Sequence, residues 1–225
     1  MKGKLILALD TATPAGSVAL VDEERTLVSR YFDVGLQHSQ RLFVEVEDAL
    51  KVAGCTFAQV GAIAVSIGPG SFTGLRIGLS AAKGFCLAGA LPLVTVSTLE
   101  VLAARLPFAR YPVCPMLDAR KSEVYTALYD TSAGWPRLLE APRALVPQVL
   151  MAERAGIPTL FTGDGALAYS ELVAACPQAM QAPFPCSRPE AAVLGWLAQA
   201  RLKAGEVADL VSVEPEYLRG PGVGV

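Results

Sequence analysis

The sequence predicts an α/β protein made of two tandem units, each built on a mixed sheet. Three observations carry that prediction. Three apolar, strand-like runs joined by short turns open the chain, and helical and strand patterns alternate after them. The pattern then restarts. Leu9-Asp10 ends an apolar run and is followed by Ala19-Leu20 and Asp22; Leu117-Asp118 is followed at the same offsets by Ala127-Leu128 and Asp130. Asp10 and Asp118 lie 108 residues apart, close to half of the 225-residue chain, which reads as a duplicated unit. Finally, 52% of the residues are hydrophobic and 18% charged, so the chain can bury a sizeable core and is not disordered.

Leu5–Leu9 is a continuous apolar run, as expected of a central strand buried on both faces. Ser17–Val21 and Thr26–Phe32 follow as a meander, joined through Asp10–Gly16 and the turn at Asp22–Glu24. His38–Ala53 is an amphipathic helix. Leu42, Phe43, Val46, Ala49, Leu50 and Ala53 form its apolar face, Glu45, Glu47, Asp48 and Lys51 face away, and Gly54 stops it. Val60–Ile67 is another buried strand, Gly68–Thr73 a glycine-rich turn and Thr73–Gly89 a helix. Leu93–Val96 is the next strand, and Ser97–Arg105 a helix with Ser97 and Glu100 in capping-box spacing. Pro107 and Pro112 then punctuate the chain, so the units are expected at 1–107 and 108–225, with room for the last helix or tail to pack back on the first. The second copy continues with a strand near Arg137–Glu140, a helix near Pro147–Ala155 and a strand at Thr159–Thr162. Helices near Ala166–Ala175 and Glu190–Ala204 follow, and Val211–Leu218, with Pro215, reads as an extended arm.

Several function classes fall away on composition. Lys and Arg number 19 against 21 Asp and Glu, a net charge of −2, and no long basic run gives a standalone nucleic-acid footprint. The uncharged stretches Thr56–Leu75 and Gly84–Leu99 are broken by glycine and proline, so neither is a spanning helix. Leu5–Leu9 is too short for the core of a signal peptide, which points to the cytoplasm. The five cysteines are odd in number and form no CxxC, the pattern of buried free thiols. His38 is the only histidine, so no metal site needing two or three imidazoles can be built.

Two segments invite a chemical reading. Asp10, Thr11 and Thr13 close the first strand, where Asp could hold a hydrated Mg²⁺ and the hydroxyls a phosphate; the same residues equally suit a turn that satisfies its own backbone. Gly68-Pro-Gly-Ser-Phe-Thr-Gly-Leu-Arg-Ile-Gly78 lacks both the lysine of a phosphate-binding P-loop and the spacing of a dinucleotide fingerprint. It reads as a strand-to-helix elbow capped by Ser71 or Thr73. The helix after it carries only Arg76 and Lys83 as charges, and Gly74, Gly78 and Ala82 form a small-residue stripe along it. Being apolar or small nearly all round, it is either internal or faces a partner. On the partner reading Gly78→Leu blocks association and leaves the monomer folded. His38 reads as a helix-capping residue, so His38→Ala is expected to leave activity intact.

These segments resemble, in order and over nearly the whole chain, the bacterial TsaB (YeaZ) family. The resemblance rests on Leu7-Ala-Leu-Asp-Thr-Ala-Thr, His38-Ser-Gln-Arg-Leu, the Gly68–Gly78 string, Val96-Ser-Thr-Leu, Leu117-Asp-Ala-Arg and Glu214-Pro-Glu-Tyr-Leu-Arg. It implies an actin-like (ASKHA) fold of two ribonuclease-H-like domains. It further implies a non-catalytic subunit that pairs with the paralogue TsaD and with the ATPase TsaE. That complex transfers threonylcarbamoyl to N6 of the adenosine beside the anticodon, in tRNAs reading codons that begin with A. TsaD-like chains hold a metal through HxxxH; the corresponding stretch here, Val96–Ala103, has no histidine. Family contacts carry over to the two N-terminal helices, at His38, Arg41, Leu42, Glu45, Phe72, Thr73, Gly74, Arg76, Ile77, Gly78, Ala81, Ala82 and Phe85. No cofactor is firmly implied. Weak ATP or ADP binding is expected at most, at Asp10, Thr11 and Thr13 or at the partner interface. The chain alone is expected to homodimerise and to meet tRNA only through the complex. The alternative is an independent actin-like kinase or ATPase using Asp10 and Asp118.

Overall fold

The computed structural model describes residues 5–33 and 38–218, residues 38–40 by their backbone only. The chain forms two compact units, Met1–Thr98 with Glu190–Pro215, and Leu99–Pro189 with Glu216–Val225.

In the first unit β1 (Leu5–Asp10), β2 (Gly16–Val21) and β3 (Thr26–Phe32) form an antiparallel meander. β4 (Val60–Gly68) and β5 (Leu93–Ser97) add in parallel on the other side of β1, giving the order β3-β2-β1-β4-β5. All six residues of β1 and all six of β2 are buried. Two-sided cover explains this. Leu7, Leu9, Val18 and Leu20 pack on α1 (His38–Val52) and α2 (Phe72–Gly89) through Leu42, Val46, Leu79 and Cys86. The alternate side chains, Ala8 and Val21, meet the last helix, residues 191–203, where a Cβ on Gly195 would stand 2.6 Å from Val21. Successive strand side chains point to opposite faces, so a continuous apolar run needs cover on both.

The second unit repeats the plan. After α3 (Thr98–Ala104), β6 (Val113–Asp118), β7 (Val124–Asp130) and β8 (Arg137–Leu145) form the meander. β9 (Thr159–Thr162) and β10 (Ala179–Gln181) join in parallel, in the order β10-β9-β6-β7-β8. Read from the other edge, this is the order of the first sheet, and the fold is of the actin-like class. α4 (Pro147–Arg154), α5 (Asp164–Ala168) and α6 (Ser170–Ala175) complete the unit before α7 (Ala191–Lys203) returns to the first. Leu150, Ala166 and Val173 pack with Met116, Val124 and Phe161. Leu99, Leu102 and Ala103 pack with Val113, Leu117, Ala127 and Tyr129.

The structure departs from the sequence expectations in places. Against a cut at 107/108, the packing gives α3 from Leu99 onward to the second unit; α7 joins the first, the return for which the sequence left room. The β8 strand runs on to Leu145 past Pro142, which an edge strand tolerates because a missing N–H there leaves no ladder bond unmade. The helix expected at Ala166–Ala175 is two, broken at Tyr169 with φ −109° and ψ 31°. Just before the expected arm Val211–Leu218, Ala208 N–H donates to Leu93 O at 2.8 Å. Among the described residues no helix is long and apolar enough to cross a membrane.

Candidate docking face on the first unit

The elbow before α2 is built by close approach. Ser71 accepts from Gly74 N–H at 3.2 Å and so caps the helix. Ser71 N–H donates to Ala12 O at 2.7 Å, and the Thr11 hydroxyl donates to Gly74 O at 2.7 Å. A Cβ added at Gly74 or Gly78 would collide with Thr11, and one at Gly70 with Ala12 O. The glycines therefore let α2 seat directly on the β1–β2 turn.

That seating corrects the partner reading of the small stripe. Gly74, Gly78 and Ala82 are buried against the unit's own hairpin and sheet, as is Leu42 in the core. They cannot present a surface, and Gly78→Leu would disrupt the monomer. Asp10, Thr11 and Thr13 make bonds to the turn and its neighbours. All three are buried, and Thr13 gives its hydroxyl proton to Ala15 O at 3.0 Å, as Thr11 does to Gly74 O. Asp10 accepts from the Ser66 hydroxyl and from Ala12 N–H, yet burial pushes its carboxyl up to about 6.

The outer side of α2 is open. With α1 it bounds a groove of about 800 Å³ lined by Phe43, Phe72, Thr73, Arg76, Ile77, Ser80, Ala81, Gly84, Phe85 and Ala88. Phe85 packs on Phe43 at 5.7 Å between ring centroids and on Phe57 at 5.6 Å. Phe43 and Phe72 are each 52% exposed, which is much ring surface left to water. The Arg76 guanidinium lies 3.8 Å above the Phe72 ring at the rim.

Arg41, on α1, pairs through Nη2 with Glu45 at 2.5 Å and is not among the residues lining the groove. Glu45, expected on the solvated side of α1, is buried at 2% because Arg30 reaches it from β3 and continues to Asp48 at 3.2 Å. His38 opens α1, and its side chain lies outside the described residues.

Six expected contact residues thus line the groove: Phe72, Thr73, Arg76, Ile77, Ala81 and Phe85. Phe43, Ser80, Gly84 and Ala88 were missed. A signal existed: Ser80, Gly84 and Ala88 are a second small-residue stripe at i, i+4, i+8, on the exposed side.

The family model that matches the chain, over residues 33–223, is described as TsaD: tRNA N6-adenosine threonylcarbamoyltransferase. A protein of Escherichia coli, the tRNA threonylcarbamoyladenosine biosynthesis protein TsaB, is 42% identical over 58% of this chain and 58% of its own. The Bacillus subtilis protein of the same description is 29% identical over 95% of this chain and 93% of its own. The solved structure of YeaZ from Pseudomonas aeruginosa superposes with a TM-score of 0.80 at 34% identity, over 96% of this chain and all of that one.

Proposed function

The chain belongs to the TsaB (YeaZ) family and to the tRNA threonylcarbamoyladenosine pathway, and from that premise we propose that it serves there as a non-catalytic docking subunit. One observation carries the proposal. The first unit carries an open apolar groove between two helices, and among the described residues none that lines it is a carboxylate, histidine or cysteine. Such a lining suits a packed helix pair and offers no general base or metal ligand. The occupant is the TsaD paralogue, whose own helix pair closes the groove, and the ATPase TsaE joins the assembled pair. The same face takes a second copy of the chain when the paralogue is absent. The assembly works in the cytoplasm, and any weak nucleotide binding belongs to its interface.

The test is size-exclusion chromatography of the chain alone and with its TsaD paralogue. Threonylcarbamoyl transfer to tRNA is then assayed on each fraction, with TsaE and ATP present. Co-elution, with transfer only in the mixture and loss of both in Ser80→Glu, an exposed residue of the groove, is the expected result. Mg²⁺-dependent nucleotide turnover by the lone chain, without association, would overturn it and return attention to Asp10 and Asp118.

A further inference from the structure

We propose that one end of the second unit, carrying Phe108, Arg110, Trp135 and Arg137, is a stacking platform for tRNA; the inference rests on the function proposed above. Two loops build it. The 105–112 segment and the β7–β8 turn are stitched together by main-chain and hydroxyl bonds. Phe108 N–H donates to Thr131 O at 2.8 Å, Gly134 N–H to the same oxygen at 2.9 Å, and the Thr131 hydroxyl to Leu106 O at 2.6 Å. Phe108 sits at φ 58°, a left-handed conformation that an aromatic residue adopts only when its surroundings enforce it. Its ring lies across Gly134, where an added Cβ would stand 3.0 Å from Cζ.

This effort holds a ring in water. Phe108 is 74% exposed, and Trp135, next in the chain to Gly134, 55%. Neither belongs to the apolar clusters described above, which close without them. The charge around the rings is one-sided. Residues 105–112 and 130–137 hold Arg105, Arg110 and Arg137 and one acid, Asp130, in a chain whose net charge is −2; Arg105 donates to Pro185 O, which leaves Arg110 and Arg137 for the rings. Asp130 is already paired with Arg137 at 2.9 Å, and the Arg110 guanidinium lies 5.2 Å from the centre of the Tyr111 ring. Rigid exposed rings interleaved with arginine are the chemistry that stacks unpaired bases and holds their phosphates. Exposed rings beside arginine also occur where proteins meet; the tRNA threonylcarbamoyladenosine pathway of the family favours RNA as the occupant, and co-elution in the test below separates the two. The small size of the platform accords with the absence of a long basic run: it adds to the grip of a complex and does not bind tRNA tightly alone.

The experiment uses the reconstituted complex of this chain with its TsaD paralogue and TsaE. Phe108→Ser/Trp135→Ser and, separately, Arg110→Glu are compared with the wild type in assembly, thermal melting and transfer kinetics against tRNA. Arg110→Glu touches an exposed side chain and tests the platform even if the double variant folds poorly. The expected result is a KM for tRNA raised at least tenfold, kcat and co-elution unchanged, and a wild-type KM that climbs with salt. An unchanged KM would overturn the platform while leaving the docking function standing. Loss of co-elution would reassign this end to a protein partner and overturn it too. No transfer by the wild-type mixture would remove both readings.

Discussion

Substituting Gly78 and Gly84 separately with alanine divides the two sides of α2. At Gly78 the new methyl collides with the Thr11 hydroxyl and stands 3.5 Å from Val65. Inserting a methyl into such a site costs about 1–3 kcal/mol. If Thr11 swings away, the bond to Gly74 O is lost, about 1 kcal/mol more. Alanine returns about 1 kcal/mol through helix propensity. The net expectation is a loss of about 1–3 kcal/mol, read in urea unfolding of the purified chain. At Gly84 nothing lies within 4 Å of the added Cβ, so only the propensity gain remains, about 1 kcal/mol of added stability. Gly84 lines the groove, however, and Gly84→Leu is expected to leave the chain folded while cutting co-elution with the paralogue at least tenfold. A Gly78→Ala protein as stable as wild type would refute the account of how α2 is seated. A Gly84→Leu protein that assembles normally would refute the groove as the docking surface.

Asp10→Asn is expected to stabilise the protein at pH 8. Burial raises the Asp10 carboxyl from 3.8 to about 6, so folding is helped by its protonation below pH 4 and that help is lost as the pH rises through 6, up to about 3 kcal/mol. The gain in melting temperature should therefore vanish near pH 4; a gain of equal size at both pH values would contradict it. Glu45→Gln should lower stability by about 1–2 kcal/mol in chemical unfolding. It leaves Arg30 and Arg41 without their shared carboxylate, and their own exposure of 29% and 45% limits the damage. In native protein at pH 8, Cys55 and Cys186 should react first with a thiol reagent. Cys86 and Cys114 are buried, which pushes both thiols up to about 11, so their early labelling would show that the units open readily.

The repeat was the most legible feature, because it is written in strand order. Asp10 and Asp118 each close the first strand of a meander, and the two sheets follow one plan. What escaped was set by contacts between residues far apart in the chain. Glu45 looked solvated because Arg30, its partner from β3, cannot be inferred from helix periodicity. The return of the last helix was allowed for, but nothing local says that it covers Ala8 and Val21. Gln199 donating to Asp22 O and the Ala191 N–H donating to Ser17 at 2.9 Å anchor that return.

The small residues of α2 make the same point about function. Composition showed a helix apolar or small nearly all round, and that much was right. It could not say which stripe was already covered. Gly74 and Gly78 are small because the β1–β2 turn comes down on them, and Ala82 is buried in the core. Gly84 has no neighbour within 4 Å of an added Cβ, and with Ser80 and Ala88, both exposed, it edges an open groove. Small residues that the monomer itself does not require are the stronger pointer to a close-packed partner, because on an isolated exposed helix glycine costs about 1 kcal/mol against alanine. Gly84 is the residue that bears this cost. A chain that docks a helix there gains close backbone approach in return, which is why its substitution discriminates so sharply between a docking face and an idle surface.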